Sequence, residues 1–479
     1  MNTKLLKQKI LDLAIRGKLT QQLKSDGTAA DLLKEICDRT QEKTSLRAKR
    51  GNPSSQTIIP IDKSEAPFEI PANWEWVCVD AIASLITDGE HLTPRRVESF
   101  EGYYLLSARN IQDNAIHLDD VDYVDDEEYN RIAKRCNPRK DDVLISCSGS
   151  IGRVAVVKDD NKYVMVRSAA MIRPVLAHSY YLMYALQSNC LQNQIQNYSK
   201  QTAQANLFQA AIRALQIPLP PLAEQQRIVA KIEEAFAEID AIEKNKELLK
   251  THIKQTRQKI LDLAIHGKLV PQNKSDEPAS VLLERITRDN PHYEKLTDVP
   301  FEMPDSWKWI KLGDVVEINP KNKLDDNLEV SFIPMNLIEA GYSNRHKQES
   351  RFWKDVKKGF THFAENDVAL AKISPCFENR KSAIMKNLKN GYGAGTTELF
   401  VFRPSNVMLP SYLLWIIKSD DFIQAGTGNF SGVVGQQRLS REIVENYHIA
   451  LPPLAEQKRI VDKIEEIFAS LDEISLHLV

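Results

Sequence analysis

Residues 219–237 read LPPLAEQQRIVAKIEEAFA and residues 451–469 read LPPLAEQKRIVDKIEEIFA, with sixteen of nineteen positions identical at a separation of 232. A second element repeats at a different separation. QKILDLAIRGKL at 8–19 returns as QKILDLAIHGKL at 258–269, with eleven of twelve positions identical and 250 residues between the copies. A missed repeat misassigns a whole fold, so this pattern takes precedence over local propensity. In mid-chain the two elements are consecutive, whereas at the ends they are split, one at each terminus. Joining the termini would rebuild a second copy of the central element. The chain reads as a pseudo-two-fold ring cut open inside one of its helices.

Weaker pairs extend the scheme. FEIPANWEW (68–76) parallels FEMPDSWKW (301–309), QANL (204–207) parallels QQRL (436–439), and RNI (109–111) pairs with MNL (335–337). Between these anchors the halves diverge. Pro220 and Pro221 suit a helix start. Beyond them, apolar or tolerated residues recur at spacings of four and three: Ile228, Ile232, Ala235, Ile239, Ile242, Lys246, Leu249, Ile253, Thr256, Ile260 and Leu263. That is a heptad seam over about five heptads. With Gly267 as the stop, the helix runs roughly 45 residues, or about 65 to 70 Å. Such a helix needs a partner, and the C-terminal series Ile460, Ile464, Ile467, Leu471 and Ile474 followed by Leu6, Ile10 and Leu13 is the comparable material. The expectation is an antiparallel coiled coil between the central helix and a composite terminal one, the alternative being a coiled coil that dimerises the chain.

The expected fold class is α+β, with two globular domains separated by long repeated helices. The expected boundaries are a terminal helical region at 1–36, a linker at 37–67, a first domain at 68–216, a central helix at 217–270, a linker at 271–300, a second domain at 301–448, and the rest of the terminal helical region at 449–479. DVLISCS (142–148) and VAVV (154–157) flank Gly149 and Gly152 and predict a hairpin. YLMYALQS (181–188) and YLLWIIKS (412–419) predict buried helices, and the Trp74/Trp76 and Trp307/Trp309 pairs predict core anchors.

The composition, with 42% hydrophobic and 27% charged residues, is that of a globular protein rather than a disordered one. No apolar run approaches the roughly 18 residues of a membrane span, and the N-terminal stretch is amphipathic rather than a signal peptide, so a cytoplasmic protein is expected. The six cysteines lack C-x-x-C spacing, which predicts reduced thiols and no metal site. A net charge of −2 does not exclude a nucleic-acid partner, because phosphate contacts need only a local basic surface and DDVDYVDDEE (119–128) carries much of the acid.

The LPPLAEQxRIVxKIEExFA element before a long helix, its permuted repeat and two dissimilar domains together resemble the specificity subunits of type I restriction-modification systems, over essentially the whole chain. The resemblance implies two target-recognition domains, each reading one half of an asymmetric bipartite site in double-stranded DNA. It implies that the repeated helices set the half-site spacing and dock two adenine methyltransferase subunits, through which restriction and translocase subunits join. S-adenosylmethionine, ATP and Mg would then belong to the partner subunits. Near-identical frames with divergent domains fit an asymmetric site read by a quasi-symmetric clamp.

The residues agree that the chain is not an enzyme by itself. NPR (137–139) and NPK (319–321) lack the N-P-P-[YF] pattern that holds a flipped adenine, and no G-x-x-x-x-G-K-[ST] loop is present. Base readout calls for Arg or Lys at guanine, Asn or Gln at adenine, and small polar groups at phosphate. In the first domain the candidates are Arg109, Asn110, Ser148, Ser150, Arg153, Lys200, Gln201 and Gln204, with the loop SKQTAQAN (199–206) foremost. In the second they are Asn336, Lys372, Ser374, Arg380, Asn429, Ser431, Gln436 and Arg438. Glu224, Arg227, Glu456 and Arg459, taken as exposed charges on the repeated helices, are the candidates for docking the methyltransferase. The competing functions are a coiled-coil adapter that never touches DNA, which a flat salt response of DNA binding would favour, and an enzyme with an unrecognised site.

Overall fold

The first repeated element folds as helix α1 (Thr3–Ile15), whose opening amides are met by the Asn2 side chain accepting from Leu5 N at 3.1 Å. Gly17, at φ +65°, ends it, with Gly17 N and Lys18 N donating to Ala14 O and Leu13 O. A Cβ there would stand 2.3 Å from the Pro71 ring, so backbone and space both demand glycine. Gly267 repeats the arrangement at φ +67°, against Pro304. The computed structural model describes residues 2–47, 61, 66–98, 102–200, 205–287, 301–430 and 437–478. The chain divides into two units, Met1–Asn245 and Lys246–Val479.

In the first unit, α2 (Ala29–Arg47) precedes β1 (Glu75–Cys78) and β2 (Ala83–Asp88). An excursion then supplies β3 (Tyr103–Leu106), β4 (Ile111–Gln112), β5 (Ala115–Ile116), β6 (Asp122–Val124) and α3 (Asp126–Ala133). Strands β7 (Val143–Ser146), β8 (Val154–Val156), β9 (Tyr163–Met165) and β10 (Ala169–Pro174) follow. Helices α4 (Ser179–Gln187), α5 (Asn189–Ser199) and α6 (Gln209–Ala214) and strand β11 (Gln216–Leu219) lead into α7 (Leu222–Ile265). One antiparallel sheet runs β2-β10-β7-β8, and a second runs β6-β3-β9 with β3 and β9 parallel. β1 pairs with β11, placing the entering and leaving strands side by side. The expected hairpin is present as β7 against β8, and α4 is the expected buried helix.

The second unit repeats this order after α8 (Ala279–Thr287). Its strands are β12 (Lys308–Lys311), β13 (Val316–Ile318), β14 (Glu329–Ile333) and β15 (Glu349–Phe352), followed by the short α9 (Trp353–Val356). Next come β16 (Thr361–Ala364), β17 (Val368–Ala371), β18 (Ser382–Ile384), β19 (Tyr392–Gly395) and β20 (Leu399–Pro404). Helices α10 (Pro410–Ile417), α11 (Asp420–Thr427) and α12 (Arg441–Glu445), strand β21 (His448–Leu451) and helix α13 (Leu454–Leu476) complete it. Its sheets run β13-β20-β17-β18 and β15-β14-β19-β16, β14 and β19 are again parallel, and β12 pairs with β21. The repeat visible in the helices thus extends through divergent sequence to the strand order of the first sheet and, apart from the added edge strand β16, of the second, and the α+β class holds.

Within the first unit α1 lies antiparallel to the start of α7: Lys7 pairs with Asp240, and Thr3 Oγ1 donates to Glu243 at 3.1 Å. Within the second, α13 lies antiparallel to the end of α7, with Arg257 meeting Asp472 at 2.6 Å. Each part of the central helix therefore has a partner from one end of the chain, as the permuted repeat requires. The seam departs from the heptad reading in one respect. Ile228, Ile232, Ile239 and Ile253 are buried, but the stripe continues through Arg257, Leu261 and Ala264 rather than Thr256, Ile260 and Leu263, and Ile242 and Leu249 are exposed. A 3.6-residue helix drifts against a seven-residue repeat, which moves the buried line by one position. The segments read as linkers also carry helix, since α2 extends to Arg47 and α8 occupies Ala279–Thr287. The paired leucines of these two helices, Leu32 and Leu33 in α2 and Leu282 and Leu283 in α8, are buried in equivalent cores.

Candidate nucleic-acid interface

In each unit the chain that ends the variable domain returns to the base of a loop at the end of a central strand. In the first unit the loop joins β7 to β8. Ser146 Oγ donates to Ser150 O at 2.6 Å and accepts from Arg153 N at 2.9 Å, while Gly149 and Gly152 take φ values of +67° and +88°. Cys147 N donates to Ser168 O at 2.8 Å and Leu207 N to Cys147 O at 2.9 Å. This ties together the β7–β8 loop, the β9–β10 turn and the segment after α5. Ser150 is exposed, Ser148 and Arg153 are half-buried, and Lys200 is exposed at the end of α5. Gln201 and Gln204 lie outside the described residues. The geometry adds Arg167 in the β9–β10 turn, exposed and without an ion pair among the described residues. A basic residue inside a tight turn, in VRSAA (166–170), is the sequence signal for it.

The second unit is built alike: Lys372 N donates to Glu398 O at 2.9 Å, Leu439 N to Lys372 O at 2.8 Å, and Ser374 N to Gln437 O at 2.9 Å. Arg438 spans both oxygens of Glu398, at 2.9 and 3.1 Å, and holds that carboxyl below its ordinary range. The Lys372 ammonium sits 5.4 Å from the Phe400 ring centre, and the Ser374 hydroxyl donates to Glu378. Asn336 and Asn429 are exposed, Asn429 donating to Ala425 O at 2.9 Å. Ser431 and Gln436 lie outside the described residues.

Two candidates are occupied inside the protein. Asn110 is buried: its Oδ1 accepts from Ser107 N and Oγ, and its Nδ2 donates to His117 O and Asp120 O, leaving no capacity for a base. Arg380, at φ +54°, donates to Lys418 O at 3.0 Å, pairs with Asp420 and stacks 5.2 Å from the Tyr342 ring centre. Both are loop-positioning residues. Arg109 differs, because its partners Asp120 and Asp122, at 3.4 and 3.1 Å, are on the surface and such pairs are worth only about 0 to 1 kcal/mol. Its guanidinium can exchange them for another anion.

Behind the second loop lies Lys418, which sequence reasoning passed over as the end of an apolar helix. It is buried and donates to Gly341 O at 2.7 Å and Arg380 O at 2.9 Å. Burial, and then the Arg380 charge, push its ammonium down to about 7. The first unit has Gln187 in its place, donating to Val154 O at 3.1 Å.

The expectation that Glu224, Arg227, Glu456 and Arg459 are exposed is corrected. Glu224 is 0% exposed and accepts from Trp74 Nε1 at 2.8 Å, Gln22 Nε2 at 2.7 Å and Thr20 Oγ1 at 3.1 Å. Glu456 is 1% exposed and accepts from Gln272, and the Trp307 indole faces it without a formed hydrogen bond. Arg227 grips Asp26 and Arg459 grips Asp276. Gln225 and Gln457 also turn inward, accepting from His178 N at 2.8 Å and Leu409 N at 2.9 Å. The A-E-Q of the repeated motif is a clamp between the long helix, the segment after Gly17 or Gly267, and the adjoining domain. Its charges serve the chain's own frame, since a buried carboxylate is tolerated only when hydrogen-bonded.

Among the described residues no group of His, Cys, Asp and Glu is placed to hold a metal ion, and no helix is long and apolar enough to cross a membrane. Burial raises the thiols of Cys136 and Cys147 to about 12.

With this geometry in view the chain can be compared with known proteins. Residues 71–251 and 304–476 match the family described as type I restriction modification DNA specificity domain, and the chain belongs to that family. It is 46% identical over 238 residues to the EcoAI specificity subunit of Escherichia coli and 44% identical over 238 residues to the EcoEI specificity subunit. Each match covers 46% of this chain but only 40% of the relative. The EcoKI specificity subunit of E. coli K12 matches more widely, at 23% identity over 85% of this chain and 84% of its own length. Among solved structures, the HsdS subunit from Thermoanaerobacter tengcongensis shares the fold with a TM-score of 0.53 at 16% identity, covering 87% of this chain and 94% of that one. A chain from a structural study of complex assembly and conformational transition in the type I R-M system gives 0.52 at 17% identity, covering 86% and 94%.

Proposed function

We propose that the chain is the DNA sequence-specificity subunit of a type I restriction-modification complex. Each domain reads one half of an asymmetric bipartite site, and the long helices dock two adenine methyltransferase subunits and, through them, the restriction subunits. The observation that carries this reading is the same clamp and strand order built twice around two chemically different loops, Ser148 to Arg153 in one unit and Lys372 to Arg380 in the other. A frame that repeats holds equivalent partners, while loops that differ read different sequences. For docking, the exposed ion pairs Lys231–Glu234 and Lys463–Glu466, repeated at matching helix positions, replace the buried motif charges as candidates. The chain's own part is binding and orientation in the cytoplasm. S-adenosylmethionine, ATP and Mg are assigned to the partner subunits.

The test is co-expression with the methyltransferase of the same system, followed by mapping of modified adenines. Methylation at a split, asymmetric site is expected. Methylation of a continuous palindrome, or none above the methyltransferase alone, would overturn the reading.

A further inference from the structure

Two corresponding corners of the units differ by one side chain. In the first unit Gln194, on α5, bridges to the first residue of β11: its Nε2 donates to Gln216 O at 3.0 Å and its Oε1 accepts from Gln216 N at 2.9 Å. Those backbone groups point away from β1, because the adjacent pair carries the ladder bond, Val79 N to Leu215 O. The second unit keeps the register, with Lys311 opposite His448 and Leu312 N donating to Tyr447 O. His448 therefore turns its N–H and C=O the same way. Counted from Ser188 and Ser419, which cap α5 and α11, the counterpart of Gln194 is Ala425. Alanine has no amide to reach that backbone.

Where the glutamine would lie, a cavity of about 390 Å³ opens. Small-molecule sites occupy roughly 300 to 1,000 Å³ and combine apolar walls with a few convergent polar groups. Phe301, Trp309 and Tyr447 supply aromatic walls and Asp421 an exposed carboxyl at the rim. The Trp309 indole N–H is buried with no partner among the described residues, whereas its counterpart Trp76 donates to Phe68 O at 3.1 Å.

We propose that this cavity binds a small planar aromatic carboxamide, with the ligand amide standing where Gln194 places its own in the first unit. The ligand N–H donates to His448 C=O, its carbonyl accepts from His448 N–H, and its ring packs against the wall that Phe301 and Trp309 form by meeting edge to face at 4.7 Å. A carboxylate in the same place accepts only and meets Asp421 as a like charge, so the slot selects the amide.

The test uses the full chain, benzamide as probe, benzoate as comparison and saturation-transfer NMR as readout. Benzamide is expected to bind the wild type at least about tenfold more tightly than benzoate, and Ala425→Gln, which restores the internal amide, is expected to weaken benzamide by at least about tenfold. Should that variant fold poorly, Ala425→Leu fills the same space without the amide and is expected to exclude the probe as well. No saturation transfer to the wild type at millimolar benzamide, equal binding of benzoate, or benzamide affinity within about twofold in a folded filled variant would each overturn the proposal.

Discussion

Asp26 and Arg227 meet through two hydrogen bonds, at 2.6 and 2.8 Å, across 201 residues of sequence, and Asp276 and Arg459 repeat the contact in the other unit. The Arg227 guanidinium holds the Asp26 carboxyl below its ordinary value. The contribution to stability is therefore complete above the unfolded carboxylate pKa, near 4, and disappears as pH falls through the lower folded value. Asp26→Asn is expected to cost about 1 to 2 kcal/mol at pH 7, between the values for surface and buried pairs, and to flatten the acid limb. Urea midpoints between pH 7 and 3 measure both. An unchanged acid limb would mean that the pair is not formed in solution.

Glu224 is a second point of attachment, and a heavier one. Glu224→Ala leaves the buried Trp74 indole without its acceptor, with an expected loss of about 2 to 3 kcal/mol. Glu224→Gln retains an acceptor oxygen and is expected to recover part of that loss. Urea unfolding midpoints followed by far-UV circular dichroism rank the two variants against the wild type, and equal midpoints for all three would count against the contact.

The frame was legible in the sequence because its code is short-range and repeated: a proline pair, apolar residues at helical spacing, and glycines at the stops. The second sheet of each unit was not legible, since β3 and β9 pair in parallel across a long excursion that no local pattern announces. Site residues failed for a related reason. Asn110 and Arg380 have the right chemistry for a base but are spent on nearby carbonyls and a carboxylate, and only tertiary contacts distinguish a spent amide from a free one. Glu224 shows the converse, a charged residue in a motif of charged residues whose burial depends on a tryptophan 150 positions away.

Lys418 gives a pH dependence of the opposite sense. Its folded value of about 7 lies below the ordinary 10.5, so between these limits the unfolded chain binds the additional proton and stability rises with pH. The wild type is expected to gain on the order of 1 kcal/mol or more on going from pH 7 to 9.5 relative to Lys418→Gln, which installs the residue of the first unit. Parallel urea curves at the two pH values check this, and identical pH responses would count against a buried ammonium.

Arg167 and Asn110 separate reading from holding. Arg167 is exposed in the β9–β10 turn, whereas Asn110 is fully bonded beneath the surface. If the first unit contacts DNA through its tied loops, Arg167→Ala should weaken binding by the assembled complex by about 1 to 3 kcal/mol. A phosphate contact would weaken all sequences alike and lower the salt slope by about one, whereas a guanine contact would relax specificity at one position of one half-site. Asn110→Ala should instead lower the unfolding midpoint while leaving the salt slope in place, because what it removes is four internal hydrogen bonds. Fluorescence anisotropy at several salt concentrations, run beside thermal unfolding, separates these outcomes, and an Arg167 variant with wild-type affinity would exclude that turn from the interface.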